Sequence, residues 1–147
     1  MAVKIDFYVF EGTDASPPSA YACRLIEKAV LQGLTVCVRL PSADEVNAFD
    51  ALLWSFSDHS FVPHAIVSDA SEAVACNAHP PVWLSVSTPV KADLLINLCE
   101  DAPSGFEGYR QLADFVNAAP ARREAGRRRF AHYRDAGYPP NTHRVTA

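Results

Sequence analysis

The feature that most restricts the fold is a strand–helix–strand pattern completed within the first forty residues. Residues 3–10 are rich in β-branched and aromatic side chains, which is typical of a strand. Residues 19–32 carry apolar side chains at helical spacing and are followed by Gly33, which predicts a helix that ends there. Residues 34–40 form a second short apolar run. This order predicts a βαβ unit, whose crossover is almost always right-handed.

The middle of the chain continues to alternate between predicted helices and predicted strands. Ser42 and Glu45 have the spacing of a capping box, which predicts a helix from there to about Trp54. The run 94–99 is almost continuously apolar, as in a central strand covered on both faces. Two further strands are predicted, separated by a polar loop: 65–67 and 82–86, with the loop at 68–80.

The last third of the chain contains one ambiguous segment and one clear helix. Residues 106–116 are apolar at spacings of three and one, which leaves helix and strand open. Pro120 is a favoured first helical residue, and the helix is predicted to run to about Ala136, where Gly137 ends it.

These elements predict a single α/β domain over residues 1–147. The expected architecture is a Rossmann-like, doubly wound, mostly parallel sheet of about five strands with flanking helices. Apolar residues make up 49% of the chain and charged residues 20%, enough for a folded core. No apolar run approaches the roughly 18 residues of a membrane span, and an acid already stands at Asp6. We therefore expect a cytoplasmic protein with no signal peptide and no membrane contact.

The loop after the first strand lacks the features of a nucleotide-binding loop. It offers one glycine, Gly12, between the acids Glu11 and Asp14, which would repel a pyrophosphate. The chain also has no G-x-x-x-x-G-K-[ST] segment. The sequence therefore predicts neither a nucleotide-binding loop nor a cofactor.

The cysteines and histidines show no metal-binding or disulfide pattern. The four cysteines are widely separated, which favours free thiols, and the histidines form no helical pair. A small enzyme remains an alternative, with its site at the strand ends around Glu11, Asp14, Cys99 and Glu100. The acids beside Cys99 oppose formation of a nucleophilic thiolate, however.

Charge is distributed unevenly along the chain. The formal net charge is −4, but residues 1–120 carry −9 and residues 121–147 carry +5. An acidic body with a basic C-terminal segment indicates an anionic partner at that end, or a helix face that only maintains solubility.

Two clusters of side chains stand out against this background. The segment 53–64 carries large apolar side chains at a helix end and in the loop after it: Trp54, Phe56, Phe61 and Val62. Composition alone leaves open whether they cap the core or form an interface.

The second cluster lies on the predicted C-terminal helix. Arg127, Phe130, Ala131 and Arg134 share one face by their spacing. An aromatic ring between guanidiniums suits either an acidic peptide with an apolar end or a nucleic-acid strand, because arginine binds carboxylates and phosphates alike.

Five segments follow one another along the chain in a recognisable order: Phe7–Val9, Ala51–Trp54, Ser60–His64, Leu94–Leu98 and Tyr133–Tyr138. The most specific of them are the Leu-Trp pair followed by Ser-Phe-Val-Pro-His, and the arginine-rich helix that ends Tyr-Arg-x-x-Gly-Tyr. With these segments in this order, the chain resembles, across nearly its whole length, the family of chi subunits of bacterial DNA polymerase III holoenzyme.

The resemblance implies a non-catalytic accessory subunit of the clamp loader. It implies two partners, the psi subunit and the acidic, aromatic-ended C-terminal tail of single-stranded-DNA-binding protein, so that nucleic acid is bound only indirectly. The positions that match the psi-facing segment are Trp54, Phe61, Val62 and Pro63. The positions that match the tail-binding helix face are Arg127, Phe130 and Arg134, with Gly137 at the turn.

The chain departs from the family pattern at Ala131, where relatives often have a lysine. Arg128 or Arg129 is expected to restore that charge, and Arg128 is therefore included in the expected tail-binding site. The alternative function is direct binding of single-stranded nucleic acid by the arginine-rich helix, although the net charge of −4 opposes it.

Overall fold

A computed structural model describes residues 3–11, 18–55, 64–67, 81–86, 92–103, 105–116 and 120–146. Its elements are seven strands and three α-helices, with one short 3-10 helix at Phe106–Gly108. The strands are β1 (Lys4–Glu11), β2 (Val36–Leu40), β3 (His64–Val67), β4 (Val82–Val86), β5 (Leu94–Asn97), β6 (Gln111–Val116) and β7 (Asn141–Thr146). The helices are α1 (Pro18–Leu31), α2 (Ala43–Ser55) and α3 (Pro120–Asp135).

The strands form one sheet in the order β3-β4-β2-β5-β6-β1-β7, and every pairing between them is parallel. Two apolar cores lie on its faces. One core contains side chains from α1 and α2, such as Ile26, Phe49 and Leu53. The other contains Tyr133 of α3 and Phe106. The predicted α/β fold with helices on both faces of a parallel sheet is therefore confirmed.

Within the described residues, the sheet has seven strands rather than the expected number of about five. The ambiguous segment 106–116 contains the 3-10 helix followed by β6, and the mixed spacing arises because two elements contribute to it. β6 lies between β5 and β1 and is buried on both faces from Leu112 to Val116, so it shows no alternation of apolar and polar residues. The other additional strand, β7, is largely polar because it lies at the edge of the sheet.

Local signals in the sequence agree with the helix ends. The backbone N–H of Glu45 donates a hydrogen bond to the Ser42 hydroxyl at 3.2 Å, as expected of a helix N-cap. Gly137 has φ +96° after α3, and the N–H of Tyr138 donates to the Tyr133 carbonyl at 2.9 Å. This geometry is a Schellman motif, which glycine adopts without strain. Within the described residues, no helix is long and apolar enough to span a membrane.

Candidate functional site

Helix α3 crosses the face of β1 and β6 and presents three different sides. Its inner side carries Ala125, Arg129 and Tyr133, all of which are buried. Gly126 brings the helix unusually close to β6, because a Cβ atom added there would lie 2.6 Å from Cγ2 of Val116. The other two sides of α3 face away from the core and carry exposed arginines.

A buried polar network anchors the inner side of α3. Asp114, in the middle of β6, is completely buried and accepts hydrogen bonds from Nε of Arg129 at 3.0 and 3.1 Å. The Tyr133 hydroxyl donates to the same carboxylate at 2.9 Å, and the Asn97 amide donates at 3.3 Å. Arg129 also donates to the Glu100 carbonyl at 2.7 Å. The network therefore fixes the position of α3 relative to the centre of the sheet.

Burial strongly affects the acid–base behaviour of this network. Burial and the neighbouring Asp114 carboxylate raise the pKa of Tyr133, so its hydroxyl remains a hydrogen-bond donor at physiological pH. Burial also raises the pKa of Asp114, while the Arg129 guanidinium and the hydrogen bonds from Tyr133 and Asn97 act in the opposite direction.

A groove of about 210 Å³ lies between α3 and the β1–β7 edge of the sheet. We call it the α3 groove, and its lining residues are Phe7, Val9, Val116, Arg123, Gly126, Arg127, Phe130 and Thr142. Its floor is apolar, and the Phe130 ring packs edge-on against Phe7 with ring centroids 5.3 Å apart. Two exposed arginines, Arg123 and Arg127, lie on its helix side. The groove therefore combines an apolar slot with two guanidiniums.

The α3 groove brings together part of the residue set expected from the sequence. Arg127 and Phe130 line it together. Arg134 lies one turn further along α3, is exposed, and has its Nε 3.2 Å from the Asp135 carboxylate. Gly137 forms the turn after the helix. Arg123 also lines the groove, and its spacing of four residues from Arg127 was the signal that could have identified it.

The two arginines expected to replace the family lysine at Ala131 have different environments. Arg129 is buried against Asp114, with Nη2 3.0 Å from Oδ1. Arg128 is exposed and lies 3.9 Å from the Glu124 carboxylate. It lines a separate cleft on the other flank of α3, together with Ala102, Pro103 and His132. Of this pair, Arg128 is the one whose guanidinium is open to solvent.

The other cluster predicted from the sequence, in segment 53–64, lies at the opposite edge of the sheet, at β3. Trp54, near the C-terminal end of α2, is 46% exposed, and its ring lies 4.6 Å from that of His64. His64 Nε2 is 2.7 Å from the Asp50 carboxylate, one turn before Trp54. Ile66 follows on the same side of β3 and is also exposed. We call Trp54, His64 and Ile66 the Trp54 surface.

Of that cluster, Trp54 is the member within the described residues. Phe56, Phe61, Val62 and Pro63 lie outside the described residues. Of the expected psi-facing residues, Trp54 is the one within the described residues. It shares the Trp54 surface with a second exposed apolar side chain, that of Ile66.

The strand ends proposed for the enzyme alternative do not contain an activated thiol. Cys99 is buried, and burial raises the pKa of its thiol to about 11. The thiol is therefore protonated at neutral pH, whereas a nucleophilic cysteine requires a lowered pKa. Within the described part of the chain, no three His, Cys, Asp or Glu side chains are grouped to hold a metal ion. Asp14 lies outside that part.

Comparison with known proteins gives a consistent family assignment. The family model described as DNA polymerase III chi subunit, HolC, matches residues 2–141. The protein named DNA polymerase III subunit chi from Pseudomonas aeruginosa is 37% identical over 144 residues, which cover 97% of this chain and 96% of that protein. The protein of the same name from Haemophilus influenzae is 26% identical, with 99% of each chain covered.

A third protein of that name, from Escherichia coli, is 24% identical over 82% of this chain and 80% of its own length. Among solved structures, Saccharomyces cerevisiae Dbp5 bound to RNA and ADP BeF3 matches with a TM-score of 0.57 and 10% identity. That match covers 98% of this chain and 41% of the Dbp5 chain, and at this identity it shows similarity of fold alone.

Proposed function

The chain belongs to the family of DNA polymerase III chi subunits, and from this membership we propose that it is a non-catalytic accessory subunit of the clamp-loader complex. In this proposal it works in the cytoplasm and joins two partners. One partner is the psi subunit, and the other is the acidic C-terminal tail of single-stranded-DNA-binding protein. It would thereby connect the replication machinery to template that is already coated with that protein.

The observation that carries the proposal is the α3 groove. A tail that ends in an aromatic residue and is preceded by acids needs an apolar slot bordered by cations. Phe7 and Phe130 supply the slot, while Arg123 and Arg127 supply the cations. Apolar burial contributes about 25 cal/mol per Å², and each exposed ion pair adds roughly 0.2–1 kcal/mol that salt weakens. We therefore expect an affinity in the micromolar class that falls as salt rises.

We assign the psi contact to the Trp54 surface. Exposed large aromatic side chains are enriched at protein interfaces. Here the exposed Trp54 ring packs against the His64 ring. The contact between His64 and the Asp50 carboxylate fixes the position of the His64 ring beneath this contact with Trp54. Phe61, Val62 and Pro63 complete the proposed contact on the basis of their match to the family segment.

Titration of a fluorescent tail peptide tests the proposal. Arg127→Ala should weaken binding about two- to fivefold, since it removes one rim ion pair. Phe130→Ala should weaken it further, since it removes part of the apolar slot. Arg24→Ala is the matched control, because Arg24 is an exposed helical arginine on α1, on the other face of the sheet.

Two results would contradict the proposal. Wild-type tail affinity in both the Arg127 and Phe130 variants would show that the tail binds elsewhere. Tight binding of a naked oligonucleotide with a steep salt dependence, lost in the Arg127 variant, would favour direct nucleic-acid binding by α3 instead.

A further inference from the structure

We propose that Arg144 on β7 is a third cation of the α3 groove, which extends the site across the edge of the sheet and contacts the acidic part of the bound peptide. This inference rests on the function proposed above. It adds a residue from a strand that the sequence did not predict, and it gives the groove a second charged wall opposite α3.

The strand register carries the argument. Along β7, Thr142 pairs with Phe7 of β1, and Arg144 pairs with Val9. Phe7, Val9 and Thr142 all line the α3 groove. Successive side chains of a strand point to opposite faces, so Arg144 projects from the same face as Thr142. Arg144 is exposed and pairs with Val9, which lines the groove.

His143, which lies between Thr142 and Arg144, shows that side chains of β7 alternate between the two faces of the sheet. His143 points to the other face, where its Nε2 lies 2.8 Å from the Asp6 carboxylate and its ring stacks on Tyr8. Tyr8 belongs to the core on the α1 and α2 side of the sheet. Because the His143 side chain lies on the α1 and α2 side of the sheet, the Arg144 side chain lies on the α3 side.

The direction of α3 places Arg144 near the other cations of the groove. Because β6, β1 and β7 are parallel, α3 must run back from their carboxyl ends to their amino ends. Arg123, near the start of α3, therefore lies toward the carboxyl end of β7, as Arg144 does. Phe130 lies further along and meets Phe7. Arg123 and Arg144 thus lie toward one end of the groove and the aromatic slot toward the other, with Arg127 between them on α3.

This polarity matches an acidic peptide with an aromatic end. The aromatic residue would occupy the slot near Phe130, and the preceding acids would extend between Arg123 and Arg144.

The test compares two synthetic peptides, one with the acidic residues and one with each acid replaced by its amide. Arg144→Gln should weaken the acidic peptide about two- to fivefold, reduce the salt dependence of its affinity, and leave the amide peptide unchanged. Arg144→Lys should retain most of the affinity. Arg110→Ala is the matched control, because Arg110 is exposed and precedes β6, at the amino end of the strands.

The outcomes separate this inference from the proposed function. Unchanged affinity in Arg144→Gln, together with weakened binding in Arg127→Ala, would overturn the role of Arg144 and leave the tail site intact. Unchanged affinity in all groove variants would overturn the tail site itself. An equal loss with both peptides would also overturn the inference, because it would show that Arg144 supports β7 rather than the acids.

Discussion

At the scale of single residues, the most consequential group is the ionic contact between Arg129 and Asp114. Both side chains are buried, and no buried side-chain polar atom within the described residues lacks a hydrogen-bond partner. Such a pair contributes little net stability over an apolar alternative, but it is costly to break on one side only. Its value here is positional, since it links α3 to β6, an interior strand of the sheet.

Removing one partner should therefore have a large effect. Arg129→Ala leaves the Asp114 carboxylate buried without its cation and should lower the free energy of unfolding by about 3–5 kcal/mol. Arg128→Ala is the matched control on the same helix. Its guanidinium is exposed and 3.9 Å from Glu124, so a change within about 0.5 kcal/mol is expected. Urea unfolding measures both, and equal midpoints for the two variants would contradict the structural role of Arg129.

At the scale of elements, the contact between α3 and β6 depends on a glycine. A glycine inside a helix usually costs about 1 kcal/mol relative to alanine. At Gly126 the added Cβ would meet the Val116 side chain at 2.6 Å, so the helix would have to move away from the strand. The cost of separating α3 from β6 is therefore expected to exceed the gain in helix propensity that alanine would bring at this position.

A double-mutant cycle tests this approach. Gly126→Ala should destabilise the protein by roughly 1–3 kcal/mol through overpacking. In a Val116→Ala background, the same change should become neutral or stabilising by up to about 1 kcal/mol, because the clash is gone and the propensity remains. Thermal or urea unfolding of the four proteins gives the coupling. A Gly126→Ala variant more stable than wild type would show that the contact relaxes at no cost.

At the scale of the whole molecule, the two proposed binding surfaces occupy opposite edges and opposite faces of the sheet. The Trp54 surface lies at β3 and α2, whereas the α3 groove lies at β1 and β7. Six inter-strand spacings of about 4.8 Å separate β3 from β7 by about 29 Å. This distance exceeds the screening length of about 8–10 Å in physiological salt, so charges at one edge have little effect at the other.

We therefore expect the two partners to bind independently. Trp54→Ala should weaken psi binding while it changes tail affinity by less than about twofold, and Arg127→Ala should do the reverse. Saturation with psi should likewise leave the tail affinity unchanged. Isothermal titration of each partner, alone and with the other present, measures this. A tail affinity that changes tenfold on psi binding would show that the two edges are coupled.

The sequence was sufficient where a local pattern reflects a local cause. Capping at Ser42, the glycine stop at Gly137 and the apolar runs of the central strands depend on near neighbours along the chain, and all predicted their elements correctly. The spacing of Arg127 and Phe130 also placed them on one face of α3 for the same reason. Phe61, Val62 and Pro63 remain predictions, because they lie outside the described residues.

Tertiary structure decided what depends on contacts distant in sequence. β6 was ambiguous because both of its faces are buried, and β7 carried no apolar signal because an edge strand is held by its pairing with β1. The division of the arginines of α3 was also undetermined, since Arg129 is drawn inward by Asp114, which lies 15 residues away and on another element. Helical spacing places Arg129 on the same side as Ala125 and Tyr133, but the carboxylate that allows a guanidinium to be buried there comes from a strand, and no periodicity along the helix reveals it.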